Sequence, residues 1–127
     1  MPGLDLNLKI LIVDDFATMR KIEKKILAQI GLRNVDEADD GITALPQVRQ
    51  HQYDVILLDW NMPQMSGLEF LKAIKADSAT KDIPVIMVTA EALKDNIVAA
   101  AQAGVDDYIV KPFTAAVLEE KLKAVLK

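Results

Sequence analysis

LKILIVDDF, residues 8–16, sets an unbroken apolar run against two adjacent carboxylates, and its reading decides the fold. Ile10, Leu11, Ile12 and Val13 are apolar at consecutive positions. A strand with one wet face alternates apolar and polar residues, so a continuous run marks a strand covered on both faces, as in a parallel sheet. DVILLD (54–59) and IPVIMVT (83–89) repeat the pattern. DYIVK (107–111) reads as a further strand, and VDEAD (35–39) is too polar for the centre and reads as an edge. Between the runs, apolar residues recur at helical spacing: Met19, Ile22, Ile26, Leu27 and Ile30, then Leu68, Leu71 and Ile74, and finally Leu118, Leu122 and Val125. Asp40, Ser66 and Thr114 are expected N-caps, and Gly31 and Gly104 sit where helix C-termini want a residue at positive φ. Pro46 falls inside the second helix pattern, where it removes a backbone donor and is expected to kink the helix. Strand and helix alternate five times, which predicts an α/β fold: a five-stranded parallel sheet with helices on both faces.

The composition supports that reading and excludes several function classes. A chain of 127 residues, 51% hydrophobic and 27% charged, is expected to form one globular domain over residues 1–127 with no output domain. Without cysteine it can have no disulfide framework, zinc–thiolate site or thiol nucleophile. A formal charge of −4 is the wrong sign for a protein whose main partner is nucleic acid or an anionic membrane. The apolar runs fall far short of the ~20 residues that span a bilayer. MPGLDLNLK has an early Asp and no basic region before an apolar stretch, so a cytoplasmic location is expected.

Ligands of open parallel sheets bind beyond the carboxyl ends of the strands. Asp14 and Asp15 end the first run, Asp59 the third, Thr89 the fourth and Lys111 the fifth. Carboxylates gathered in one crevice repel each other unless a cation compensates, and hard oxygen donors with room for water suit Mg²⁺. A carboxylate can also attack a phosphoryl group, with Mg²⁺ and an ammonium neutralising the non-bridging oxygens. Taken one at a time, each residue has an ordinary explanation: a strand-end Asp is usually a cap or turn residue, Thr89 a strand end, Lys111 a solvated charge. Their convergence on one edge of one sheet indicates a phosphate or metal site.

The motifs VDDFATMR (13–20), DWNMPQMSG (59–67), VTAE (88–91) and YIVKPF (108–113), in this order and context, resemble the receiver domain of two-component response regulators. The resemblance covers essentially the whole chain and is strongest, through AAAQAG and KPFTAA, with the single-domain chemotaxis members. It implies a flavodoxin-like strand order 2-1-3-4-5. It also implies that Asp59 is the phosphoacceptor, charged from the phosphohistidine of a histidine kinase. Asp15, Asp59 and the backbone carbonyl of Asn61 would bind Mg²⁺ directly and Asp14 through water. Thr89 and Lys111 would contact the phosphoryl oxygens, Thr89 and Tyr108 would form a switch pair, and the Lys111–Pro112 bond would be cis. The implied partners are the kinase, a protein target such as the flagellar motor switch, and a phosphatase, with the chain itself a monomer.

Two rivals stand beside this reading: a phosphorelay intermediate or receiver of another pathway, and a haloacid-dehalogenase-type phosphatase. The latter wants a second Asp two residues after its nucleophile, where this chain has Asn61. Trp60 and the methionines Met19, Met62 and Met65 are expected to pack at the core or its rim rather than act. His51, the lone histidine, is expected to be a solvated helix end. Ala99, Ala100 and Ala101 offer the fourth helix little area to bury, and Leu93 stands early in that helix where a polar or basic residue is expected.

Overall fold

The computed structural model describes residues 4–60, 62, 65–90 and 94–126. Its strands are β1 (Ile10–Val13), β2 (Val35–Ala38), β3 (Val55–Asp59), β4 (Val85–Thr89) and β5 (Asp107–Val110). Its helices are α1 (Ala17–Ile30), α2 (Gly41–Gln50), α3 (Gly67–Ala76), α4 (Lys94–Gln102) and α5 (Ala115–Val125). All neighbouring strands run parallel, in the order β2-β1-β3-β4-β5, which is the flavodoxin-like order. The ordered strands are shorter than the apolar runs predict by up to three residues, although Lys9 and Asp14 beside β1 still bond across to Asp54 and Ala38.

Side-chain alternation divides the core into two layers. Ile10 and Ile12 of β1, Val55 and Leu57 of β3, and Ile86 and Val88 of β4 meet Leu27 of α1 and Leu118 and Leu122 of α5. Leu11, Val13, Ile56, Leu58, Val85 and Met87 project the other way, onto Val48 of α2, Phe70, Leu71 and Ile74 of α3, and Ala100 of α4. Every residue of β1, β3 and β4 is buried, which is why these runs are apolar throughout. VDEA of β2 is only partly buried, as befits an edge.

Caps fix the helix ends where they were expected. The Asp40 side chain accepts from Thr43 N–H, Thr114 from Val117 N–H, and Ser66 forms a reciprocal capping box with Glu69. Gly31 and Gly104 take φ of 98° and 92°, left-handed values that glycine adopts without a Cβ penalty. The helix α2 runs through Pro46 to Gln50, so the proline does not end it.

One helix differs from its sequence pattern. On α1, the buried positions are Glu23 and Leu27, whereas Ile22 is 45% exposed. The expected face is otherwise kept, with Met19, Ile26 and Ile30 partly buried, so at one position of the inward stripe Glu23 stands where Ile22 is expected. In α4, of the three consecutive alanines only Ala100 is buried. Among the described residues, no helix is long and apolar enough to cross a membrane.

Candidate functional site

Strand order and alternation bring the strand-end polar residues together. Asp59 is the last residue of β3, and alternation along VILLD places it on the α1/α5 side of the sheet with Val55 and Leu57. Asp14 follows β1 on the same side, next to β3 in the sheet. Asp14 is 1% exposed and Asp59 8%, while Asp15, one step further out, is exposed. Carboxylate oxygens of Asp14, Asp15 and Asp59 all lie within 4.8 Å of one another.

The Asp14–Asp15 turn is held at several points. Asp14 N–H donates to the Ala38 carbonyl of β2 at 3.1 Å, and Asp14 Oδ1 accepts Phe16 N–H at 2.9 Å. The Asp14 carbonyl accepts from Arg20 Nη1 at 2.7 Å. Across the pocket, Lys111 N–H donates to the Thr89 carbonyl at 2.8 Å, and the Lys111–Pro112 bond is cis, as expected. The Lys111 ammonium then reaches Asp59 Oδ1 at 2.9 Å and Asp14 Oδ2 at 3.5 Å.

One ammonium does not neutralise three carboxylates. Burial, followed by repulsion from Asp14 and Asp15, raises the Asp59 carboxyl to about 6 against the pull of Lys111. At neutral pH Asp59 remains mostly ionised, so the pocket keeps excess negative charge on hard oxygen donors. That donor set fits Mg²⁺, which takes one or two carboxylates and fills its octahedron with water. Asn61, expected to add a backbone carbonyl, lies outside the described residues, as do Glu91 and Leu93.

Thr89 ends β4 on the opposite side of the sheet from Asp59 and is 7% exposed. Together with Trp60, Met87, Ile97, Ala100 and Tyr108 it borders a cavity of about 10 Å³, the space of roughly one water. Thr89 and Tyr108 therefore border the same small void. Tyr108 is partly buried, with the Lys121 ammonium 5.4 Å from its ring centroid.

The residues expected to be bland are so. Trp60, Met62 and Met65 pack partly buried against the α2–α4 layer, and Met19 is also partly buried. His51 caps α2 as an exposed residue, its ring tilted against Tyr53. Sequence reading missed three neighbours of the pocket. Glu23 is 1% exposed with Oε2 lacking any hydrogen-bond partner. Arg20 and Glu37 form an ion pair beside the acidic turn, at 3.1 Å. Arg20 lies in a quoted motif, but no local pattern says that it bends back to a carbonyl.

Residues 10–123 match the model of the response regulator receiver domain. The chain is 55% identical to the chemotaxis protein CheY-3 of Vibrio cholerae over 124 residues, covering 98% of this chain and 95% of that one. It is 54% identical to the chemotaxis protein CheY of Pseudomonas aeruginosa over 120 residues, covering 94% and 97%. Among solved structures, CheY4 of Vibrio cholerae superposes with a TM-score of 0.87 at 35% identity, covering 94% of this chain and 99% of that one. The receiver domain of a sensor histidine kinase from Pseudomonas aeruginosa, solved with a magnesium ion coordinated in its active-site cleft, gives 0.85 at 30% identity, covering 95% and 99%.

Proposed function

Because the chain belongs to the response regulator receiver domain family of two-component signalling, we propose that Asp59 is its phosphoacceptor. The observation that carries the assignment is the Lys111 ammonium on Asp59 Oδ1 at 2.9 Å, within a cluster of three carboxylates at the carboxyl end of the sheet. An Asp59 carboxylate oxygen attacks the phosphorus of a phosphohistidine in line. The new O–P bond replaces the N–P bond, and the histidine leaves with its nitrogen lone pair. Lys111, already aimed at the carboxylate, follows charge onto the phosphoryl oxygens, and the Thr89 hydroxyl donates to another.

Asp15, Asp59 and the Asn61 carbonyl would hold Mg²⁺ directly and Asp14 through water. When bound, the ion neutralises the non-bridging phosphoryl oxygens. Burial at the sheet end holds Asp59 in a desolvated pocket while leaving Asp15 exposed at its mouth.

The histidine kinase is the donor, in the cytoplasm, and the output is a protein contact. The similarity to chemotaxis proteins favours the flagellar motor switch as target, with a phosphatase resetting the signal. The signal passes through Thr89 and Tyr108, which border one cavity next to the acceptor strand. Mass spectrometry after treatment with acetyl phosphate and Mg²⁺ tests the assignment. One phosphoryl group is expected on the wild type and none on Asp59→Asn; stable labelling of another Asp in the wild type refutes it. Selective capture of a motor-switch protein by the phosphorylated form separates the chemotaxis reading from a receiver serving another pathway.

A further inference from the structure

The turn that aims Asp14 and Asp15 has a weak point at the start of α1. Phe16 occupies the N-cap position and supplies no side-chain hydrogen bond there. Asp14 Oδ1 is already engaged by Phe16 N–H, which ties the carboxylate to its own turn rather than to the helix. The peptide joining the two acids is instead anchored from outside, by the 2.7 Å bond from Arg20 Nη1 to the Asp14 carbonyl.

Arg20 is itself held. Its Nε donates to Glu37 Oε1 on β2 at 3.1 Å, and Glu37 Oε2 accepts from Lys24 Nζ at 3.1 Å. Partial burial of Glu37 works against its ionisation, but the bonds from Lys24 and Arg20 win and hold it below the ordinary carboxylate range. The Arg20 side chain is only 18% exposed, so its planar fork is fixed in direction by packing and by two acceptors.

The charge of Arg20 is the wrong kind for a site that attracts a cation. A guanidinium beside the pocket repels Mg²⁺, so any help it gives must come from geometry. We propose that Arg20 is a positioning residue of the cation site: bonded to the Asp14 carbonyl and steered by Glu37, it sets the direction of the Asp14 and Asp15 carboxylates. This rests on reading Asp14, Asp15 and Asp59 as the Mg²⁺ site. Groups that orient first ligands are worth about 10- to 100-fold in metal affinity, and Arg20 is expected to fall in that range.

The sign of the effect separates position from charge. Mg²⁺ is titrated into the full chain with Trp60 fluorescence as the readout, and urea denaturation in EDTA runs in parallel. Arg20→Gln should weaken Mg²⁺ binding about 10-fold or more while the metal-free chain stays folded. Arg20→Lys, which keeps a donor but loses the fork, should recover part of the loss. Glu37→Gln, which leaves Arg20 in place but loosens it, should fall between wild type and Arg20→Gln and gives a reading even if Arg20→Gln does not fold. Tighter Mg²⁺ binding in Arg20→Gln would mean that only its charge is felt, and unchanged binding with lower stability would mean a purely structural bond; either overturns the proposal. A wild type without any Mg²⁺ response overturns the site reading and this proposal with it, whereas a normal wild-type response that Arg20→Gln leaves intact overturns this proposal alone.

Discussion

Glu23 is the residue whose placement is least expected from its neighbours in the chain. In IEKK (22–25) it reads as one more solvated charge, and Ile22 beside it is the apolar residue that the helical spacing would turn inward. Leu27 keeps to the apolar face, but Glu23 is buried in place of Ile22, which no pattern within α1 indicates. Burial, then repulsion from Asp14 and Asp59, raises its carboxyl from 4.5 to about 8, with Lys111 opposing. Between those two values the folded chain binds more protons than the unfolded one, so stability falls as pH rises, by up to about 1.4 kcal/mol per pH unit. Urea midpoints measured in EDTA should therefore drop from pH 5 to pH 8 in the wild type. The drop should be shallower in Glu23→Gln, and Glu23→Leu should exceed wild type at pH 8 because no unpartnered oxygen stays buried. By contrast, the grouping of Asp14, Asp15, Asp59 and Lys111 was legible, because strand ends in a parallel sheet converge whatever the packing beneath them, while strand alternation turns Thr89 to the other side of the sheet.

At the scale of elements, the start of α3 joins local chemistry to the site. Ser66 and Glu69 close a capping box that the sequence announces through Ser66. Gly67 N–H donates to the Trp60 carbonyl at 3.1 Å, so the first turn of α3 lies directly on the end of β3. A Cβ at Gly67 would collide with the Asp59 carbonyl and crowd Trp60 Cα at 3.0 Å, a contact that only the tertiary structure reveals. The two neighbouring substitutions should thus behave differently. Ser66→Ala should cost about 1 kcal/mol in denaturant unfolding and leave acetyl phosphate labelling intact. Gly67→Ala should push the backbone of Asp59 and, if Asp59 is labelled as proposed, lower the labelling rate by more than its stability loss accounts for. Caps, positive-φ glycines and the polar edge strand were readable because each depends on a few adjacent residues. The extent of the strands was not, since an apolar run does not say which of its ends turns away.

For the whole molecule, the acidic pocket links ligand occupancy to global stability. An ion bound by the folded chain alone stabilises it by RT ln(1 + [Mg²⁺]/Kd), about 1 to 3 kcal/mol at tens to a hundred times Kd. Asp15→Ala should lose most of that gain in thermal melts at fixed Mg²⁺ while melting normally in EDTA. Phosphorylation of a carboxylate exchanges one negative charge for about two and places them on three phosphoryl oxygens, and a hundredfold shift between two conformers needs about 2.7 kcal/mol, within reach of one or two charge-assisted bonds. Lys111→Arg replaces a compact ammonium by a planar fork and should still accept phosphate, but its partner affinity should barely rise on phosphorylation. The sheet that divides the core also separates the polar strand ends, with Asp14 and Asp59 on the α1/α5 side and Thr89 with its cavity on the side of α2, α3 and α4. Substitutions can therefore accumulate beneath one surface of the sheet without disturbing packing on the other. With Thr89 and Lys111 in the proposed roles the strand ends are common to both layers, so a descendant that alters there how long it remembers a stimulus also alters how it addresses its listener.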